Sequence, residues 1–278
     1  MNDRTLAGRV ALVTGAGRGI GEAVARALAA RGAAVVVNDL DAEPADAVVQ
    51  AIRRAGGQAE LLAGSVTAPD FGERAVQACE GRFGGLDIIV NNAGYTWDGA
   101  LHKMSDAQWQ AMLDVHLTAP FRLLRAAYPL LKAQFERDVA AGTPWHRKVV
   151  NVSSVVGLGG NAGQANYAAA KAGIVGLTKA LAKEWGRLAV NVNCVAYGHI
   201  ETRLTQPRGQ GAGTVRIEGQ DIAVGVGRET LEAVQRQIPL GRAGTTDEAA
   251  GAVLMLCGHE SDYVSGQVVV CGGGLSLG

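Results

Sequence analysis

Thr14-Gly15-Ala16-Gly17-Arg18-Gly19-Ile20-Gly21 directly follows the apolar run Val10 to Val13, and its last residues open a helical pattern in which Ile20, Val24 and Leu28 share one face before Gly32. A strand that runs into a glycine-rich turn and then a helix is suited to a phosphate. Glycines let the backbone come close without a Cβ in the way, and the helix N-terminus offers unpaired N–H groups with partial positive charge. Glycines also make ordinary tight turns, so the stretch counts only with its surroundings. Here the next apolar run, Val35 to Val37, leads to Asp39, 24 residues beyond Gly15, where a carboxylate can accept both hydroxyls of an adenosine ribose. The reading is a dinucleotide held by Gly15, Gly17, Arg18, Gly19, Ile20, Gly21 and Asp39. Asp39 opposes a 2′-phosphate by a like-charge repulsion on the order of a few kcal/mol at an effective dielectric near ~20, so NAD(H) is favoured. NADP(H) stays possible through Arg18, whose guanidinium can bind a 2′-phosphate.

Working outward, further apolar β-rich runs occur at Leu86 to Val90, Val149 to Val152, Val190 to Val195 and Val268 to Val270, separated by helical patterns. Continuous rather than alternating apolar strands are buried on both faces, which predicts an α/β fold: a doubly wound parallel sheet with helices on both sides. Ser105 with Gln108 and Thr245 with Glu248 have the spacing of capping boxes and predict two helix starts. With no internal repeat, linker or charge block, residues 1–278 read as a single domain. The 39 glycines are roughly twice average usage and fit tight turns. Twenty-six basic residues balance 26 acidic ones, which leaves no electrostatic footprint for nucleic acid or an anionic membrane. Cys79, Cys194, Cys257 and Cys271 lack CxxC or metal-ligand spacing and read as reduced core thiols; no metal is expected. The polar opening MNDRTLAGR and the lack of a long apolar window give a cytoplasmic reading.

Tyr167 and Lys171 stand four apart at the head of a helical pattern continued by Ile174, Leu177 and Leu181, so both project from one face. An ammonium beside a phenol stabilises phenolate and is expected to bring the tyrosine closer to neutrality as an acid or base. Ser154, at the end of a strand, can hydrogen-bond the same substrate oxygen.

With these residues in view, the chain resembles the short-chain dehydrogenase/reductase family over essentially its full length: TGAGRGIG at 14–21, Asn91-Asn92-Ala93-Gly94 after a strand, then Ser154, Tyr167 and Lys171. GQANYAAAKAG at 163–173 is most similar to 3-oxoacyl-[acyl-carrier-protein] reductases, whereas Asp114-Val115-His116-Leu117 is more similar to hydroxyacyl-CoA dehydrogenases of β-oxidation. The resemblance implies a Rossmann-like fold and a hydride transfer between nicotinamide and a ketone or secondary alcohol, with an acyl thioester as the best substrate class. It implies that Tyr167 is the general acid or base, that Ser154 orients the substrate oxygen, and that Lys171 binds the nicotinamide ribose and lowers the Tyr167 pKa. Asn91, Ala93 and Gly94 lie along the cofactor on that reading, and Ile200 and Thr202 meet its carboxamide end. A homotetramer packed through Leu113 to Leu131 and Tyr167 to Trp185 is also implied.

Three departures stand out. His116 replaces the usual Asn of a proton relay, and an imidazole can pass a proton through water. Ser65-Val66 replaces Asp-Val near the adenine, which removes one acceptor. Tyr197-Gly198 replaces Pro-Gly, which puts an aromatic ring where the backbone bends round the nicotinamide. Arg203 to Gly227 carries six glycines and is long for a connection, so 203–238 reads as a substrate lid. Two alternatives remain: a dehydrogenase of a cyclic, steroid-like or sugar alcohol, and a catalytically silent NAD-sensing protein.

Overall fold

Four short apolar strands meet side by side in the centre of a seven-stranded, wholly parallel sheet: β1 (Val10–Val13), β4 (Ile88–Asn91), β5 (Arg147–Ser154) and β6 (Val190–Tyr197). The computed structural model describes residues 5–205, 214–217, 220–223, 225 and 227–275. Outside the central strands lie β2 (Ala34–Asp39) and β3 (Gln58–Ala63) on one side and β9 (Val268–Cys271) on the other, in the order β3-β2-β1-β4-β5-β6-β9. The chain winds outward from β1 to β3 and then crosses back to β4, so strand order reverses between β1 and β4. That reversal opens a crevice at the carboxyl ends of these strands, the usual ligand position in such sheets.

Period-two alternation explains why the strands are apolar throughout. Ala11 and Val13, with Val35, Val37, Val90, Val152 and Val195, face a layer containing α1 (Gly19–Ala30), α2 (Ala42–Arg54) and α9 (Thr246–Leu254). Val10 and Leu12, with Val36, Ile89, Val149 and Val192, face α3 (Phe71–Phe83), α5 (Ala119–Ala140) and the end of α7 (Ala165–Trp185). Each strand thus serves two cores. Both predicted capping boxes are present. Ser105 starts α4 (Asp106–Leu113), and Thr245 starts α9, with reciprocal bonds of 2.9–3.2 Å. The four cysteines are free thiols, and among the described residues no helix is long and apolar enough to cross a membrane.

Two strand regions are absent from the sequence expectations. β3 is an edge strand, exposed or half-buried except at Ala59, so it never presents a continuous apolar run. Between β6 and α8 (Arg228–Gln237), the long glycine-rich stretch contains an antiparallel hairpin, β7 (Thr214–Ile217) with β8 (Gln220–Ala223). The lid expected over 203–238 lies partly outside the described residues, at 206–213, 218–219, 224 and 226.

Candidate active site

The glycine turn is shaped by a second turn packed on it. Thr14, at the end of β1, accepts the N–H groups of Asn92 and Ala93 on its hydroxyl at 3.0 and 3.1 Å. Asn92 returns two bonds from its amide to the carbonyls of Thr14 and Gly15, at 2.9 and 3.0 Å. Gly15 has φ +61°, and a Cβ there would lie 2.7 Å from the Cα of Ala93. A Cβ on Gly21 would strike the Gly15 carbonyl. Arg18 caps α1 without a side-chain bond to the helix, so the first-turn N–H groups remain available to an anion. These features fit a dinucleotide: a cradle that a Cβ would fill, below a helix start with free donors.

Asp39 lies at that cradle. Its Oδ2 accepts the Gly17 N–H at 2.9 Å and its Oδ1 accepts the Asp41 N–H at 3.2 Å, which fixes the carboxylate beside the turn. Arg18 is paired with Asp41 at 2.9 Å. Thr202 comes over from the far side of the crevice; a Cβ on Gly19 would be 3.8 Å from its methyl group. Val66, Asn91 and Ala93 line one small cleft with Thr14 and Val115, while the Ser65 hydroxyl is 2.8 Å from that of Thr67. Asn91 begins a buried polar chain, donating to Asn151, which donates to Thr178 on α7, at 2.8 and 2.9 Å.

The second group of residues gathers at the carboxyl end of β5. Ser154 terminates that strand and caps α6 (Val155–Gly159), accepting the Val156 N–H at 3.2 Å, and its hydroxyl lies near enough to the Tyr167 phenol to oppose the rise in the phenol's pKa. Lys171, one turn along α7, is buried and donates to the Val152 carbonyl at 2.7 Å, with Nζ 5.6 Å from the Tyr167 ring centroid. Burial draws the Lys171 ammonium down to about 8. The phenol moves the other way: burial pushes Tyr167 up to about 12 against the influence of the Ser154 hydroxyl, and the Asp98 carboxylate adds to the rise. The expected lowering by the neighbouring ammonium is therefore corrected. Lys171 turns to a backbone carbonyl, and desolvation governs the phenol.

Asn166, fully buried beside Tyr167, was not singled out in the sequence. Its amide donates to the carbonyls of Trp97 and Gln108, at 3.1 and 3.0 Å, and its Oδ1 accepts the Tyr167 N–H at 2.8 Å. It binds the loop after β4, helix α4 and the start of α7 together. Its place directly before the tyrosine gave no signal of this, because the Trp97 and Gln108 carbonyls it reaches lie 69 and 58 residues away in the chain. His116 packs edge-on to Tyr167, with ring centroids 5.0 Å apart.

Tyr197 corrects an expectation. It lies on the same strand face as Val195, is buried in the core beneath α9, and donates its hydroxyl to the Ala249 carbonyl at 2.7 Å. Burial pushes its phenol far above the usual range. The ring thus points away from the crevice, and it is Gly198, against the Cα of Gly272, that gives the bend its tightness. Ile200 is buried and bridges to Gly244, and the Thr205 hydroxyl ties back to the Ile200 carbonyl at 2.6 Å.

A family model described as short chain dehydrogenase matches residues 9–213. Among curated relatives, the Nodulation protein G of Rhizobium sp. (strain N33) is 38% identical over 273 residues, covering 98% of both chains. The 3-oxoacyl-[acyl-carrier-protein] reductase FabG of Vibrio cholerae is 38% identical over 98% of this chain and 99% of its own. The protein of the same name from Escherichia coli (strain K12) is 37% identical over 97% and 98%.

Proposed function

The chain belongs to the short-chain dehydrogenase family, and from that premise we propose that it is an NAD(P)-dependent oxidoreductase reducing the ketone of a 3-oxoacyl thioester, on acyl-carrier protein or CoA, to the secondary alcohol. The observation that carries the reading is the meeting of the Ser154 hydroxyl and the Tyr167 phenol at the carboxyl end of β5, with Lys171 one turn along the same helix and the glycine cradle on the neighbouring strand. The relatives named as 3-oxoacyl-[acyl-carrier-protein] reductases support the substrate class.

A bound nicotinamide supplies the hydride. Gly15, Gly17, Gly19, Ile20 and Gly21 would hold the pyrophosphate and Asp39 the adenosine ribose. Ser65, Val66 and Asn91 would flank the adenine side. Ala93, Gly94 and Lys171 would lie at the nicotinamide ribose, and Ile200 and Thr202 at the carboxamide end. Tyr167 is the general acid. A phenol held near 12 keeps its proton at neutral pH and gives it to the far more basic alkoxide forming on the substrate. Ser154 donates to the same oxygen, orienting and polarising it. Lys171, positive below about 8, would hold the nicotinamide ribose through its ammonium. In the direction of alcohol oxidation the phenolate takes the proton back.

NADH is the preferred reductant. Asp39 stands where a 2′-phosphate would crowd it, and Arg18, the one residue of the turn able to welcome that phosphate, is paired with Asp41. NADH should bind at least about tenfold tighter than NADPH, or about 1.4 kcal/mol, and fluorescence titration showing equal affinity would overturn this. Residues 1–278 act as one domain with 203–238 as the substrate cover; Ile238, packed with Val155 and Leu275, would anchor its far end beside α6. The assembly is a homotetramer using the groove of about 550 Å³ between α5 and α7, lined by Phe121, Leu124, Tyr128, Leu177 and Trp185. Light scattering at the 28.6 kDa monomer mass would refute that assembly. The activity itself is tested by NADH consumption with acetoacetyl-CoA, expected in the native protein and lost in Tyr167→Phe.

A further inference from the structure

We propose that His116 is a positioning residue, a wedge that sets Tyr167 and the turn after β4, and that it carries no proton in the reaction; this rests on the reading of Tyr167 as the proton donor. His116 lies in a π-helical stretch, Asp114–Thr118, that joins α4 to α5. It is 3% exposed. A relay through an imidazole needs two working nitrogens, one to accept a proton and one to release it, each with a partner able to take part.

Neither nitrogen has such a partner. Nε2 is 2.7 Å from the Tyr95 carbonyl oxygen. A carbonyl only accepts, so Nε2 carries the hydrogen, and the bond ends on an atom that passes nothing on. Nδ1 is buried and has no hydrogen-bond partner. Gly94 covers it: a Cβ built on that glycine would lie 2.7 Å from Nδ1 and would strike Cε1. The Gly94 backbone thus packs against the Cε1 edge beside Nδ1, and the nitrogen itself is sealed from solvent. Protonating Nδ1 would bury an unpaired N–H on a cation within the field of the Lys171 ammonium, and both desolvation and that charge oppose it. The titratable groups that face the ring are the Tyr167 phenol and the Lys171 ammonium, both on α7.

What the ring does have is contact on two sides. It meets the Tyr167 ring edge-on at 88° and the Gly94 backbone at its Cε1 edge, while Nε2 pins the Tyr95 carbonyl. Position 94 thus accepts only glycine while position 116 is histidine, and the pair together sets how far the turn after β4 stands from the phenol.

The decisive measurement uses the native protein with ¹⁵N-labelled histidines, following imidazole shifts from pH 5.5 to 9, with His116 assigned by its absence from His116→Phe. A fixed neutral Nε2–H tautomer throughout is expected, and a titration midpoint within that range overturns the proposal. This readout needs no turnover, so it stands apart from failure of the reductase reading, which Tyr167→Phe tests. In kinetics, His116→Phe keeps the ring and loses the Tyr95 bond. A fall in kcat of about tenfold is expected, with the pH profile superimposed on that of the native enzyme and NADH affinity retained. A displaced pH limb in this variant would make the imidazole a proton carrier. Gly94→Ala should lower kcat by about 100-fold through displaced geometry, and His116→Ala added to it should recover part of that loss. Strictly additive losses would deny the pairing.

Discussion

The two ends of the same sheet bury polar side chains in opposite ways. At the amino ends of the strands, Arg147 is 2% exposed and lies 3.5 Å from Asp87 and 2.7 Å from Asp138. Arg9 stacks over Trp145 at 3.4 Å while approaching Asp87, and Lys148, 1% exposed, reaches Asp262 at 2.6 Å and Asn191 at 3.1 Å. Cations and carboxylates there are matched to each other. At the carboxyl ends stand Thr14, Asn91, Ser154, Tyr167 and Lys171, mostly neutral groups, and among the described residues Lys171 is paired with no carboxylate, its ammonium bonding the Val152 carbonyl beside the Tyr167 ring. The amino end is not fully hydrogen-bonded, since Arg147 Nη1 and Trp145 Nε1 are buried with no partner among the described residues; what separates the two ends is charge, opposite ions paired at one and mostly neutral groups at the other. The contrast teaches that buried charge matched by opposite charge reads as structure, whereas a buried ammonium set among neutral donors, with no carboxylate paired to it, reads as chemistry.

That contrast can be broken most forcefully at Tyr167. Tyr167→Phe should lower turnover with acetoacetyl-CoA by about 10³-fold with a near-native thermal midpoint; a collapse of stability instead would mean that the carboxyl end is a structural network like its opposite. The mirror experiment is Asp87→Ala, which leaves Arg9 and Arg147 short of a carboxylate and should cost about 3 kcal/mol in chemical denaturation. Turnover per folded molecule should be unchanged, and a specific loss of kcat would erase the distinction between the two ends.

A pH series sharpens the picture. With Tyr167 protonated up to about 12 and Lys171 losing its proton near 8, kcat/KM for NADH, which reports the free enzyme, should be level from pH 6 and fall as pH rises through about 8. A first break at pH 10 or above would assign the limb to the phenol. The smallest effect expected is at Asp41. Asp41→Asn releases Arg18 from an exposed ion pair worth at most about 1 kcal/mol, so NADPH should bind up to about fivefold tighter and NADH nearly as before. Unchanged NADPH affinity would leave Asp39 alone responsible for discrimination.

Much of this was readable in the chain because the decisive features are local. Glycines at 15, 17, 19 and 21 between a strand and a helix, an acid at the end of β2, and a Tyr–Lys pair one helical turn apart are all short-range patterns. What escaped is long-range. Asn92 and Asn166 act by reaching the carbonyls of distant segments, and nothing in an asparagine's own neighbours announces that. β3 escaped because an edge strand needs only one well-covered face. Tyr197 was legible after all: alternation from Val195 puts its ring in the α9 core layer, and the strand period outweighs proximity to the crevice. The phenol of Tyr167 required the fold, since spacing gives the ammonium's presence but not the carbonyl of Val152 that claims it.

The Lys148–Asp262 contact joins residues 114 apart in the chain, and Asn191 and Asn193 bond backbone carbonyls at 262 and 264 to bring the final strand, β9, against β6. As the polypeptide leaves the ribosome, β5 is complete long before the carboxylate that its lysine needs has been synthesised. Domains growing from the amino end carry such debts until the missing partner emerges. The nascent enzyme therefore stays open at this edge, its crevice walled on one side, until residue 262 and the strand behind it are free to dock. Released chains truncated at 255 and at 275 should differ sharply in protease resistance, with the change falling between them rather than earlier.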